Sequence, residues 1–89
     1  MKLELVKKLT EQSQERFPDK KEHHEFLMFQ IQHHFVEIND LIAKKDPHCK
    51  KEIADLAILC QMLAINEDVN SKIFKERLVK FKSKINSSK

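Results

Sequence analysis

The chain has 89 residues, with 17 Lys and Arg against 14 Asp and Glu, five His, two Cys, two Pro and no Gly, Trp or Tyr. That length holds one domain, 1–89, near the size at which a lone hydrophobic core is marginal and association of copies is a common remedy. A composition so rich in Lys, Glu, Leu, Ile and Gln and so poor in turn-formers argues against a sheet and predicts an all-α fold with short loops.

The first helix is predicted from Lys2 to Arg16, with Leu3, Val6 and Leu9 on one stripe, stopping before Pro18, whose ring disfavours a helical Phe17. Met1 to Leu9 is amphipathic and charged rather than signal-like, and no apolar run nears the roughly 20 residues of a membrane span, so a cytoplasmic protein without membrane contact is expected. Asp19 can cap a second helix running to Ala43. This helix is apolar on two sides: Leu27, Ile31, Phe35, Ile38 and Ile42 form one stripe, and Phe26, Phe29 and Val36 lie roughly opposite. A helix of that kind is sandwiched, one side within the subunit and the other against a second copy. Asp46-Pro47 restarts the chain, because Asp caps and Pro suits the first helical position, and helix three follows to about Ile65. Asn66, Glu67 and Asp68 form a polar break, and Asn66 or Asn70 can cap a fourth helix carrying Val69, Ile73, Phe74, Leu78, Phe81 and Ile85, with fraying in the last few residues.

Cys49 and Cys60 have no zinc-type spacing and read as ordinary intracellular thiols. After Asp68 the chain carries Lys72, Lys75, Arg77, Lys80, Lys82, Lys84 and Lys89 against the single acid Glu76. Such a helix can meet phosphates or simply face solvent. Nucleic acid is disfavoured as a partner, since no helix-turn-helix signature is present and acids are spread through the first three helices.

Glu52 and Asp55 interrupt the most apolar stretch of the chain, Ile53 to Ile65. At about 100° per residue Glu52 falls between Leu56, Leu59 and Leu63, and Asp55 beside Met62, so both carboxylates are turned toward packed surface. A buried carboxylate is protonated, paired with a cation or bound to a metal. On helix two, His34 and Glu37 form a second i,i+3 pair, with Asp40 further round. The Asp46-Pro47 corner folds helices two and three into an antiparallel hairpin, and at 1.5 Å per residue the two pairs reach comparable heights. Oxygen ligands suit Mg²⁺, and Mg²⁺ in turn suggests phosphate chemistry, in which the metal neutralises phosphoryl charge and activates water. Lys75, Lys80 and Lys82 are candidates for phosphate contact.

The hairpin HHFVEINDLI followed by AKKDPHCKKEIADLAILCQMLA resembles the MazG-like, all-α nucleoside triphosphate pyrophosphohydrolases, whose mark is ExxE on one helix and ExxD on the next. LELVKKLTEQSQERF and NSKIFKERLVKFKSK resemble that family's first and last helices, so the likeness spans nearly the whole chain. It implies a four-helix bundle, with helices two and three as its central hairpin, completed as a homodimer or homotetramer. It also implies Mg²⁺-dependent, with Mn²⁺ an alternative, cleavage of a nucleoside triphosphate between its α and β phosphates. Glu37, Glu52 and Asp55 take the catalytic and metal-binding positions, and His34 stands where the first Glu belongs. An imidazole supplies no negative charge and prefers softer ions such as Mn²⁺, Zn²⁺ or Fe²⁺. The runner-up reading is a degenerate helical module that binds a nucleotide or a protein without turnover. A literal ExxE at Glu22 to Glu25 ranks below His34-x-x-Glu37, because acids in a first turn suit the helix dipole. The histidine pairs 23/24 and 33/34 make no zinc pattern, since neighbours point about 100° apart, and an inverted Glu-x-x-His keeps a di-iron site as a distant alternative.

Overall fold

The computed structural model describes residues 3–87. Four helices account for almost all of them: α1 (Leu3–Arg16), α2 (Lys20–Ala43), α3 (Cys49–Asn66) and α4 (Ser71–Ser87), with no strand among the described residues. Lys2, the predicted start of α1, lies outside them.

Local chemistry sets the boundaries. Asp19 caps α2, its Oδ1 accepting from the backbone N–H of Lys21 at 2.8 Å and of Glu22 at 3.2 Å. Ahead of this cap Phe17 turns back and stacks on Phe26 with ring centroids 4.6 Å apart, which fixes the entry angle into α2. Both α2 and α3 end in the same device. The N–H of Lys45 bonds Ile42 O and that of Asp46 bonds Leu41 O; one helix later Asp68 bonds Ile65 O and Val69 bonds Ala64 O. These paired bonds close a Schellman motif, whose pivot must be left-handed. Without glycine, Lys45 and Asp68 occupy the pivots, each at φ 57°. Asp46 then accepts from the N–H of His48 at 2.9 Å, and a tight turn of i→i+3 bonds leads into α3 at Cys49, slightly later than the Asp-Pro pair predicts. Of the two asparagines considered as caps for α4, Asn70 serves, accepting from Ile73 N–H at 3.0 Å.

The core lies where α1, α2 and α3 meet. Val6, Leu27 and Met62 are buried, with Phe26, Ile58, Leu59, Leu63 and Ile65 packed round them, and Ile38 extends the α2–α3 seam. The hairpin of α2 and α3 is the main contact, and α1 lies chiefly on α3. Of the predicted α1 stripe only Val6 is buried; Leu3 and Leu9 are exposed. The reason is that α1 turns the line Val6, Thr10, Ser13 and Gln14 inward. Thr10 can be fully buried because its hydroxyl donates to Val6 O at 2.7 Å.

Two apolar surfaces stay uncovered. On α2, Phe29, Phe35, Val36 and Ile42 are exposed within the single chain, while Leu27 and Ile38 of one stripe are buried and Phe26 of the other packs against the core. The fourth helix packs on none of the other three. Its Ile73, Phe74, Leu78, Phe81 and Ile85 are all exposed, whereas Val69, in the loop before it, is half-buried. The radius of gyration, 15.2 Å, exceeds the roughly 12 Å of a compact chain of this length. No described helix is long and apolar enough to cross a membrane.

Candidate metal centre

The antiparallel hairpin sets the middle of α2 against the first turns of α3. There His34 Nε2 stands 3.5 Å from Glu52 Oε2 and 3.7 Å from Asp55 Oδ2. One ligand atom from each of the three lies within 4.8 Å of the others, a grouping that no other His, Cys, Asp or Glu joins among the described residues. The side chains of His34 and Glu52 are 17% and 13% exposed, and Asp55 at 53% forms the open edge. Gln30, Ile58, Leu59 and Met62 line the adjoining groove with His34 and Asp55.

Hydrogen bonding gives the cluster its character. His34 Nδ1 lies 2.8 Å from the carbonyl oxygen of Gln30, which can only accept, so Nδ1 carries the proton and donates. In the neutral ring Nε2 therefore presents its lone pair to the two carboxylates, the tautomer a metal ligand needs. Glu52 Oε2 is buried and has no hydrogen-bond partner. Its other oxygen, Oε1, faces His48 Nε2 at 3.5 Å. A buried carboxylate oxygen in that condition costs stability unless a cation meets it.

The remaining candidates fall elsewhere. Glu37 Oε1 pairs with His33 Nε2 at 3.1 Å rather than with the cluster, since positions 33 and 37 lie about 40° apart on the helix while 37 is turned about 60° from 34. Asp40 Oδ2 holds Lys44 Nζ at 2.9 Å, and this hydrogen bond, with the charge behind it, keeps the Lys44 ammonium above its ordinary pKa. Glu22 and Glu25 are exposed near the start of α2, Glu25 about 13 Å along the helix from His34. Lys75, Lys80 and Lys82 are exposed on α4, so the chain itself does not pack them against the α2–α3 centre.

Two features went unread in the sequence. His48 was legible, standing four residues before Glu52 and thus on its face. The other lies at the far end of α2, where fully buried His23 meets Ser13 Oγ at 2.7 Å through Nε2 and Asn66 Oδ1 at 2.9 Å through Nδ1. Gln14 Nε2 donates to the same Asn66 oxygen at 3.2 Å. The available signal was position: His23 precedes Leu27 by one turn and extends the buried stripe.

No protein-family model, curated protein or solved structure matches this chain.

Proposed function

We propose that the chain is a divalent-metal-dependent nucleoside triphosphate pyrophosphohydrolase of the MazG-like type. The observation that carries this reading is the buried Glu52 oxygen, without a hydrogen bond, facing a correctly tautomerised His34 and the half-open Asp55. His34 Nε2, Glu52 and Asp55 hold the divalent ion, and the exposed side of Asp55 leaves room for phosphate and water. The bound ion supplies neutralisation of phosphoryl charge and acidification of water. In the reaction one water adds its oxygen to phosphorus, the α–β phosphoanhydride P–O bond breaks, and monophosphate and pyrophosphate leave with a proton released to solvent. Glu37, paired with His33, stands outside these three ligands. Lys75, Lys80 and Lys82 reach a triphosphate from a second copy, in a homodimer or homotetramer whose contact is supported by the exposed apolar faces of α2 and α4. Two free thiols, Cys49 and Cys60, suit a reducing cytoplasm.

Pyrophosphate release from a panel of nucleoside triphosphates tests the reading, with Glu52→Gln and Asp55→Asn as the variants. Turnover is expected to fall by about a hundredfold or more in each; full activity in Glu52→Gln rejects the centre. The runner-up, a helical module that binds nucleotide or protein without turnover, is favoured by an imidazole at position 34 and by lysines standing away from the centre. Nucleotide binding with no pyrophosphate under any divalent ion selects it.

A further inference from the structure

The spacing of the three donors bears on which ion they fit. His34 Nε2 lies 3.5 and 3.7 Å from its carboxylate neighbours, beyond the 2.7–3.2 Å of a good N–H···O bond. At those distances an imidazolium would pair with the carboxylates by charge but donate a good hydrogen bond to neither, and Glu52 Oε2 is left without a hydrogen bond. Two donors bound to one tetrahedral ion at about 2.0–2.1 Å stand about 3.4 Å apart, whereas neighbouring donors on an octahedral Mg²⁺ at the same radius stand about 2.9 Å apart. The two separations from His34 Nε2 lie nearer the tetrahedral spacing than the octahedral one, and all three donor atoms lie within 4.8 Å of one another. Donor chemistry agrees: a neutral imidazole, pinned by the Gln30 carbonyl, suits transition ions and adds nothing that Mg²⁺ prefers. Three protein ligands with one open edge also match the number that a catalytic zinc site keeps, with water or substrate in the fourth position, though here two of the three are carboxylates.

We infer that His34, Glu52 and Asp55 form a tetrahedral centre for an imidazole-preferring ion of the Zn²⁺ and Co²⁺ class, with the fourth position open beside Asp55. This rests on the reading of these three residues as a metal centre and changes the ion it takes. Glu52 has the pivotal place, one oxygen toward the ion and the other toward His48, which positions the carboxylate without joining the three ligand atoms.

Co²⁺ titration of the full chain tests the inference, since tetrahedral Co²⁺ absorbs visible light far more strongly than octahedral Co²⁺. The titration is run with Cys49→Ser and Cys60→Ser in place so that thiols contribute nothing. One Co²⁺ per chain with the intense tetrahedral spectrum is expected, persisting in a large excess of Mg²⁺ and displaced by Zn²⁺. His34→Ala and Glu52→Gln should each weaken Co²⁺ binding by about a hundredfold. His34→Glu should lose the tetrahedral spectrum and bind Mg²⁺ more tightly, and its circular dichroism shows whether the fold is kept. An octahedral spectrum, displacement by equimolar Mg²⁺, or unchanged Co²⁺ affinity in His34→Ala overturns the inference. Tetrahedral Co²⁺ binding without pyrophosphate release leaves the centre standing and removes the hydrolase. Mg²⁺-driven turnover that is lost in Glu52→Gln, with no His34-dependent Co²⁺ binding, does the reverse.

Discussion

Helix α2 carries two inward-facing histidines, three turns apart, and the protein treats them in opposite ways. At the α1 end, His23 is fully buried and both ring nitrogens meet neutral partners at 2.7 and 2.9 Å, on Ser13 and Asn66. At the hairpin end, His34 has one nitrogen satisfied by Gln30 O and the other turned to two carboxylates at 3.5 and 3.7 Å. The first arrangement lowers the free energy of the fold as it stands. The second leaves a buried acceptor, Glu52 Oε2, without a hydrogen bond, a cost that a bound cation would relieve. Burial and residue type alone do not separate these two histidines; what separates them is whether both ring nitrogens meet partners at hydrogen-bond distance.

Removing His23 is the largest perturbation expected. In His23→Leu the Ser13 hydroxyl loses its partner and the Asn66 carbamoyl oxygen keeps only Gln14, at a site where three helices meet and Asn66 Nδ2 is already buried without a partner. A loss of about 2–4 kcal/mol in urea denaturation is expected, with no effect on Co²⁺ affinity per folded molecule. A loss below about 0.5 kcal/mol would mean that the network contributes little and would erase the contrast between the two ends.

At the other end the sign reverses. Glu52→Gln keeps the side-chain shape and removes a buried charge, so the metal-free protein should gain about 1–2 kcal/mol while losing its ion. Destabilisation of the metal-free protein by this substitution would show that Glu52 is held by its two histidines as an ion pair. His34→Leu sharpens the same point: its effect on metal-free stability should stay within about 1 kcal/mol, well short of His23→Leu.

The parts of the molecule read correctly from sequence are those set by chemistry within one turn. Asp19 and Asn70 cap their helices because a cap is a contact between a side chain and the next few backbone N–H groups, while Asp46-Pro47 marks the corner, the Asp46 carboxylate accepting from His48 N–H just ahead of α3. His34, Glu52 and Asp55 were legible as a group because helical periodicity and hairpin height depend only on residue counts. Glu37 was grouped with them by the same counting, but the competing i,i+4 position of His33 takes its carboxylate. Burial was harder to read, being a property of what lies opposite. The apolar residues of α4 have the spacing of a core helix and remain exposed, and Asn66, considered as a cap, belongs instead to the buried His23 network. The end of α3 was marked only by the polar break Asn66, Glu67 and Asp68, within a residue of where the helix stops, because the left-handed pivot usually announced by glycine is Asp68.

The smallest effects concern those pivots, which shape the two ends of the contrast without touching either histidine. Lys45, at φ 57°, closes α2 just before the corner that sets α3 against His34. A residue with a Cβ costs roughly 1 kcal/mol in the left-handed region, and lysine has no short polar group to offset that cost locally. Lys45→Gly relieves this strain but gives the unfolded chain more freedom, so a net gain of about 0.5 kcal/mol is expected in urea denaturation. Asp68→Gly should gain less, since aspartate tolerates this conformation better. The informative measurement is Co²⁺ affinity in Lys45→Gly. If the corner merely joins two helices whose packing fixes the centre, affinity stays unchanged as stability rises. If affinity falls, the strained lysine pivot is part of what holds Glu52 and Asp55 at the height of His34, and the hairpin end of α2 differs from the His23 end in its backbone as well as in its unsatisfied carboxylate.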